Sequence, residues 1–413
     1  MSNKDVVKQD AERALTPKLR FPEFRDTEGW RSKRLATALK FQAGFPFDSA
    51  SFAENRKGLR LIRTRDLKSD DKIIFYTNTF DETFVVSNGD VLVGMDGDFT
   101  PCVWNKGKAL LNQRVGRILP KEGSNQRFLY YFLTAHLKAI EEATARTTVK
   151  HLSHSDVEKI HEPLPALPEQ QKIAECLTTL DEVIAAQSQK IDALKTHKKG
   201  LMQQLFPREG ETLPRLRFPV FQNTGEWDEE KLGSLVEIWS GNSPSNYALS
   251  TSGAYAFVKV EDLNNCTKYQ THSREYCDDA DDVIPRGVVL FPKRGASIEL
   301  NKIRITASEI LIDTNLMALS PAGKLTVEFL YYFLVNVGLA QIADLSTIPQ
   351  INNKHIVPFK ILRPSKLEQQ RIATCLTSLD DLITAHSAKL SALKTHKKGL
   401  MQQLFPSPEA VEA

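Results

Sequence analysis

The stretch Ala193-Leu-Lys-Thr-His-Lys-Lys-Gly-Leu-Met-Gln-Gln-Leu-Phe-Pro207 returns unchanged as residues 392–406 of a chain of 413 residues. A fifteen-residue identity inside one chain marks a duplication, and the copy extends well beyond it. From Glu169 to Pro207 and from Glu368 to Pro406 the two copies agree at 29 of 39 positions. Further upstream, Pro17-Lys-Leu-Arg-Phe-Pro-Glu-Phe24 recurs as Pro214-Arg-Leu-Arg-Phe-Pro-Val-Phe221, with Trp30 matched by Trp227. Phe128-Leu-Tyr-Tyr-Phe-Leu133 recurs as residues 329–334. Between these landmarks residues 40–120 and 240–320 hardly align, so the copies share a frame and differ in the globular part. Two modules doing one job on different targets would leave this pattern.

Each copy closes on a seven-residue rhythm. It runs through Ile173, Leu177, Leu180, Ile184, Gln187, Ile191, Leu194, Lys198, Leu201 and Leu205, and again through Ile372, Leu376, Leu379, Ile383, His386, Leu390, Leu393, Lys397, Leu400 and Leu404. Alternating steps of four and three over more than four heptads are the seam of a coiled coil. The apolar members are the expected helix-pairing residues, while Gln187, His386, Lys198 and Lys397 are expected to set register or lie at the edge. Pro163, Pro165 and Pro168 precede the first helix and Pro207 follows it; Pro364 and Pro406 bound the second. Because each globular part precedes its own helix, an antiparallel pair holds the two parts at opposite ends about a pseudo-twofold axis. The Ile173–Leu205 stretch would span roughly 48 Å, or roughly 14 base pairs of duplex DNA.

In this arrangement the sequence resembles the specificity subunit of type I restriction–modification systems. The resemblance rests on the Pro-Lys/Arg-Leu-Arg-Phe-Pro motif, the following Trp, Gly89-Asp-Val-Leu-Val93, Leu111-Asn-Gln-Arg114, Leu164-Pro-Ala-Leu-Pro-Glu-Gln-Gln171 and the closing Lys-Lys-Gly-Leu-Met-Gln-Gln-Leu-Phe-Pro, over roughly residues 17–406. The second copy departs at Gly287-Val-Val-Leu-Phe, and Leu111–Arg114 finds only a loose counterpart in Thr314-Asn-Leu-Met317. The resemblance implies two target-recognition domains, each reading half of a bipartite asymmetric double-stranded DNA site. It also implies two modification (methyltransferase) subunits carrying S-adenosylmethionine, and restriction subunits (translocase and nuclease) using ATP and Mg. No cofactor is expected in this chain itself.

The fold expected is α+β: two pseudo-twofold-related recognition domains separated by two long helices forming an antiparallel coiled coil. The divisions expected are a tail at 1–16, domains at 17–166 and 214–363, helices at 167–207 and 364–406, a linker at 208–213 and a tail at 407–413. A polar start, Met1-Ser-Asn-Lys-Asp, and five cysteines without a CxxC pair fit a cytoplasmic protein with no membrane association. With 54 basic residues against 51 acidic, net charge is +3, so DNA binding would require the positive charge to be gathered on one face.

Motifs for catalysis are missing from the sequence. There is no Pro-Pro pair for an Asn/Asp-Pro-Pro-aromatic methyltransferase motif, no phosphate loop and no HxxxH or HExxH. Cys266, His272 and Cys277 fit no common zinc spacing, and Asp228-Glu-Glu-Lys231 reads as a solvated turn or helix start. A non-catalytic binding protein is expected; a coiled-coil scaffold binding proteins rather than DNA is the alternative.

Candidate DNA-contacting residues are cations and amides at strand edges, since Arg and Lys take phosphates and Arg, Asn and Gln take base edges. In the first copy these are Arg63 and Arg65, expected on one strand face, then Asn112, Gln113, Arg114, Lys150 and His151. In the second they are Lys259, Lys293, Arg294, Gln350, Asn352 and Asn353. Phe45 and Phe47 are expected in the core, and the two aromatic blocks in helices behind the reading surface.

Overall fold

Proline and an apolar stripe make the duplicated ends into helices. In the computed structural model, which describes residues 15–144, 151–346 and 348–406, four helices carry the frame. They are α1 (Gln126–Thr144), α2 (Leu167–Leu205), α3 (Val327–Val337) and α4 (Lys366–Leu404). Pro168 sits in the first turn of α2, where a missing N–H costs nothing, and Pro207 and Pro406 follow the two long helices. Every position of the four-three rhythm is buried or half-buried, whereas intervening residues such as Glu182, Lys190, Lys195 and Lys394 are exposed.

The chain divides into two compact units that do not follow chain order. The first comprises Met1–Gln187 with Lys389–Ala413, the second Ser188–Ala388. Each therefore holds the first half of one long helix and the last half of the other. In the first unit Leu404 and Phe405 share a core with Ile173, Ala174 and Leu177, while Lys397 Nζ lies 2.5 Å from Asp181 Oδ1. Residue numbers fall along one helix as they rise along the other, so the halves are antiparallel. In the second unit Leu205 and Phe206 share a core with Ile372, Ala373 and Leu376, and Lys198 Nζ lies 2.5 Å from Asp380 Oδ1.

The lysines that interrupt the apolar rhythm thus act as register pins. Lys397 lies over the ring of Tyr131 at 5.1 Å, and Lys198 over Tyr332 at 5.2 Å. Those tyrosines donate to the same carboxylates, at 2.8 Å to Asp181 and 2.7 Å to Asp380. A cation held by an anion and a ring face fixes one helical offset, which an all-apolar seam would not.

The identical fifteen residues occupy the same seat twice. Phe405 packs against Trp30, Phe128 and Phe132 at 5.7–6.4 Å between centroids. Phe206 packs against Trp227, Phe329 and Phe333 at 5.3–6.4 Å. The aromatic blocks of α1 and α3 are the buried backs of these clusters. The leading motif is fastened there too: the Leu19 N–H donates to the Gln403 carbonyl at 3.0 Å and that of Leu216 to Gln204 at 2.9 Å.

A buried ion pair explains the arginine of that motif. Arg20 Nε and Nη2 donate to the two oxygens of Glu169 at 2.8 and 2.7 Å, and Arg217 repeats the fork on Glu368 at 2.7 and 2.8 Å. Two parallel charge-assisted bonds satisfy both buried charges. Gln170 and Gln369 accept from the N–H groups of Asn125 and Thr326, just before α1 and α3, at 2.9 Å each. The Glu-Gln pair at each long helix start is thus a clamp on the globular part.

Sheets supply the rest. In the first unit the strands Leu39–Ala43, Val115–Pro120, Val91–Gly94 and Cys102–Val103 lie in that order, antiparallel. A second sheet of five short strands pairs Leu59–Ile62 with Ala109–Leu111 in parallel. Arg31–Arg34 pairs with His161–Leu164, bringing the start of the globular part to its end. The second unit has a five-stranded sheet containing Val236–Ser240, Leu316–Pro321 and Val289–Pro292, and a three-stranded sheet in which Tyr255–Val258 runs parallel to Ile310–Ile312. Asp228–Lys231, expected as a turn or helix start, is a strand paired with Lys360–Arg363; its carboxylates bind Arg363 and Lys360.

Candidate nucleic-acid interface

Three chain segments cross at one place in each unit, and most of the exposed candidates converge there. In the first unit the Met95 N–H donates to the Arg114 carbonyl at 2.9 Å, and the Leu152 N–H to the Met95 carbonyl at 2.7 Å. In the second the Lys293 N–H donates to the Asn315 carbonyl at 2.8 Å, and the Ile351 N–H to the Lys293 carbonyl at 2.9 Å. Isolated bridges complete the match, Asp96 with His151 and Arg294 with Gln350. The loop turns at Gly97 (φ 81°) and Gly295 (φ 77°), a backbone conformation that side chains with a Cβ rarely take.

This backbone crossing corrects the sequence alignment. Asn112-Gln-Arg114 does not correspond to Thr314-Asn-Leu-Met317 but to Asp313-Thr-Asn315: Asn112 bridges Phe45 in parallel as Asp313 bridges Asn242. Drifting offsets hid a match that hydrogen bonding reveals.

The same backbone carries different side chains. Asp96 Oδ1 lies 2.8 Å from His151 Nδ1, and Asp96 Oδ2 lies 3.4 Å from Arg114 Nη1. Gln113 is exposed beside them, its N–H held by the Phe45 carbonyl at 3.0 Å. Asn112 is buried, accepting from the Arg114 N–H at 3.3 Å, and so shapes the turn rather than facing outward. Lys68 and Asp98 pair next to this group, and that hydrogen bond holds the Asp98 carboxyl down to about 2. In the second unit Arg294 is exposed and Lys293 half-buried. Burial, with the Arg294 charge beside it, lowers the Lys293 ammonium below its ordinary value, although Asp313 works the other way. Two adjacent cations, one half-buried and one exposed, favour an anion from outside. The Asn352 amide points to Gln350 Oε1 at 3.4 Å, and Asn353 is exposed at the start of a short helix, Asn353–Ile356.

Three candidates are turned to structural work. Arg63 and Arg65 do not share a strand face: the strand ends at Ile62 and a 3₁₀ turn occupies Thr64–Leu67. Arg63 donates from Nε to Asp66 at 2.8 Å and also to the Lys72 carbonyl, to which Arg65 donates at 3.2 Å. The buried Asp66 carboxylate also accepts from the Arg63 N–H at 2.9 Å, and this local network prevails over strand alternation. Lys259 has the corresponding place before Asp262 and is paired with Glu275. Lys150 lies outside the described residues.

Phe47 is buried as expected; Phe45, also expected in the core, is 46% exposed and touches Phe47 and Phe84. Asp96 was missed from the sequence because a lone aspartate in Gly94-Met-Asp-Gly97 gives no sign of the arginine and histidine it meets. Arg20, Glu169, Arg217 and Glu368 were legible as repeated motifs but not as pairs. Among the described residues no group of three His, Cys, Asp or Glu is placed to hold a metal ion, and no helix is long and apolar enough to cross a membrane.

A duplicated α+β module, with matched backbone crossings that present unlike polar side chains, defines a two-site recognition protein. A family model described as the type I restriction modification DNA specificity domain matches residues 28–196 and again 224–395. The chain belongs to this family, and it is a DNA sequence-recognition subunit of a type I restriction–modification system. It is 39% identical over 154 residues to the type I restriction enzyme EcoBI specificity subunit of Escherichia coli, a match covering 37% of this chain and 32% of that protein. It is 22% identical to the MjaVIII specificity subunit of Methanocaldococcus jannaschii, over 92% of each. The crystal structure of a type I system S subunit from M. genitalium shares the fold, with a TM-score of 0.62 at 17% identity, covering 95% of this chain and 100% of that one.

Proposed function

We propose that each unit reads one half of a bipartite, asymmetric site on double-stranded DNA, and that this chain performs no chemistry itself. The observation that carries this reading is the crossing of residues 94–97, 112–115 and 151–152, repeated as 292–295, 313–316 and 350–351 with the same hydrogen bonds. Where packing does not constrain the side chain, the two crossings differ, as two readers of different half-sites should. A protein-binding scaffold would have no need for cations set on a rigid crossing in both units.

The helices support the partner reading. Within the identical fifteen residues, Lys195, Thr196, His197, Lys199, Gln203 and Gln204 are exposed, as are Lys394, Thr395, His396, Lys398, Gln402 and Gln403. Packing of the apolar stripe does not require identity at exposed positions. A partner that meets the same face twice does, which favours two copies of one partner, the modification subunit. That subunit would bring S-adenosylmethionine, and restriction subunits would bring ATP and Mg chemistry, in the cytoplasm. The five free cysteines accord with that compartment.

Methylation mapping of a genome tests the reading. With the complete system present, one asymmetric two-part motif should be methylated, and deletion of this chain should abolish it. A chimera replacing residues 240–320 should alter one half of the motif. Methylation that survives deletion, or a chimera that alters neither half, would refute it.

A further inference from the structure

Several arginines among the described residues are held by side-chain bonds within the protein. Arg20, Arg217, Arg117 and Arg363 each make several side-chain bonds, and Arg304 donates repeatedly to the Leu263 carbonyl. The two at the crossings are held far less. Arg294 is exposed, with no side-chain partner among the described residues, on backbone pinned by Lys293 to Asn315 and by the Gly295 N–H to the Pro349 carbonyl at 2.9 Å. Arg114 has a side chain 69% exposed, whose one contact among the described residues is Asp96 at 3.4 Å.

The matched positions show a trade. In the first unit the loop carries Asp96 and the facing turn Arg114; in the second the loop carries Arg294 and the turn Asn315. Each unit thus offers one arginine at the same place, hung from opposite sides. Rigid backbone beneath an exposed guanidinium suits directional recognition, because the planar fork meets two acceptors at once. In duplex DNA, guanine presents such a pair, N7 and O6, in the major groove.

We propose that Arg114 and Arg294 are the guanine-reading, specificity-determining side chains of the two half-sites, and that Asp96 is the positioning residue that aims Arg114. This rests on the reading of the units as half-site readers. A phosphate contact is the competing role for either arginine; it would contribute affinity without information.

The test maps the methylated motif in cells carrying the complete system with substitutions in this chain. Arg294→Ala is expected to make one guanine of one half-site degenerate, discrimination falling roughly 10- to 100-fold, while the other half-site is unchanged. Arg114→Ala is expected to do the same in the other half-site. Asp96→Asn, which removes an anion but not the arginine, should relax that same base. Arg294→Lys keeps the charge and lacks the fork, so it should relax the base while methylation persists. An unchanged motif in Arg294→Lys and Arg294→Ala overturns the proposal in favour of a phosphate contact, as does degeneracy at a base other than guanine. Should Arg294→Ala abolish methylation, the purified methyltransferase complex is assayed on random-sequence duplex. Retained binding with the site preference gone supports the proposal, and loss of both overturns it. If the unsubstituted system marks no two-part motif, the half-site reading itself has failed.

Discussion

Phe405 closes the core of a unit from which it is separated in the chain by the whole of the other unit, and its removal makes a sharp prediction. The side chain is 7% exposed and lies between Trp30, Phe128 and Phe132, with the nearest ring centroid at 5.7 Å. Phe405→Ala removes a buried ring and leaves a cavity walled by large side chains of α1, which cannot collapse inward without moving the sheet. The cost expected is about 3–5 kcal/mol, a large part of a total on the order of 5–15 kcal/mol. For a unit of about 200 residues this lowers the melting temperature by about 6–20 °C. Phe405→Leu, which keeps most of the volume, should cost less than about 1.5 kcal/mol. Hydrogen exchange read by mass spectrometry on the full chain locates the damage. Peptides around Trp30 and residues 128–133 should lose protection, while those around Trp227 and residues 329–334 keep theirs. Equal loss in both sets, or a cost below about 1 kcal/mol, would refute the claim that the end of α4 belongs to the core of the first unit.

Two further outcomes follow from buried charge. Glu169→Leu strands the Arg20 guanidinium, whose side chain is 5% exposed, and should cost about 3–5 kcal/mol, whereas Arg20→Met with Glu169→Leu should recover much of it; denaturant midpoints no better for the double variant than for the single would exclude this account. His136 is the second. Burial disfavours its charge, but the hydrogen bond to Glu162 and that to the Phe132 carbonyl outweigh it and raise the imidazole above its ordinary value. A raised folded value stabilises fully below the unfolded value of about 6.5, and that stabilisation is lost as pH rises through the folded value. Unit-one peptides should therefore lose exchange protection as pH rises above the ordinary imidazole value, and His136→Gln should flatten that difference. An unchanged slope in the variant would assign it elsewhere.

The sequence by itself determined the duplication, the two long helices, their antiparallel sense and their apolar stripe, because periodicity and proline act locally and leave a printed trace. Several of the candidates read from it lie at the backbone crossings, Arg114 and His151 in one unit and Lys293, Arg294 and Gln350 in the other. Tertiary structure decided what local pattern cannot encode. Arg63 and Arg65 read as one strand face until Asp66 and the Lys72 carbonyl claim them, because a side chain–backbone network overrides alternation over so short a run. Asp96 acquires its meaning only when residues 114 and 151, distant in the chain, arrive beside it. The loose alignment of Asn112–Arg114 was resolved by hydrogen bonds to Phe45 and Met95, which no offset in the sequence reports. Most of all, the identity of residues 193–207 and 392–406 announced a repeat but not its reason. Each stretch ends in a phenylalanine that fills a cavity in the globular part other than the one immediately before its helix, so one aromatic seat, built twice, constrains the buried positions of both copies alike.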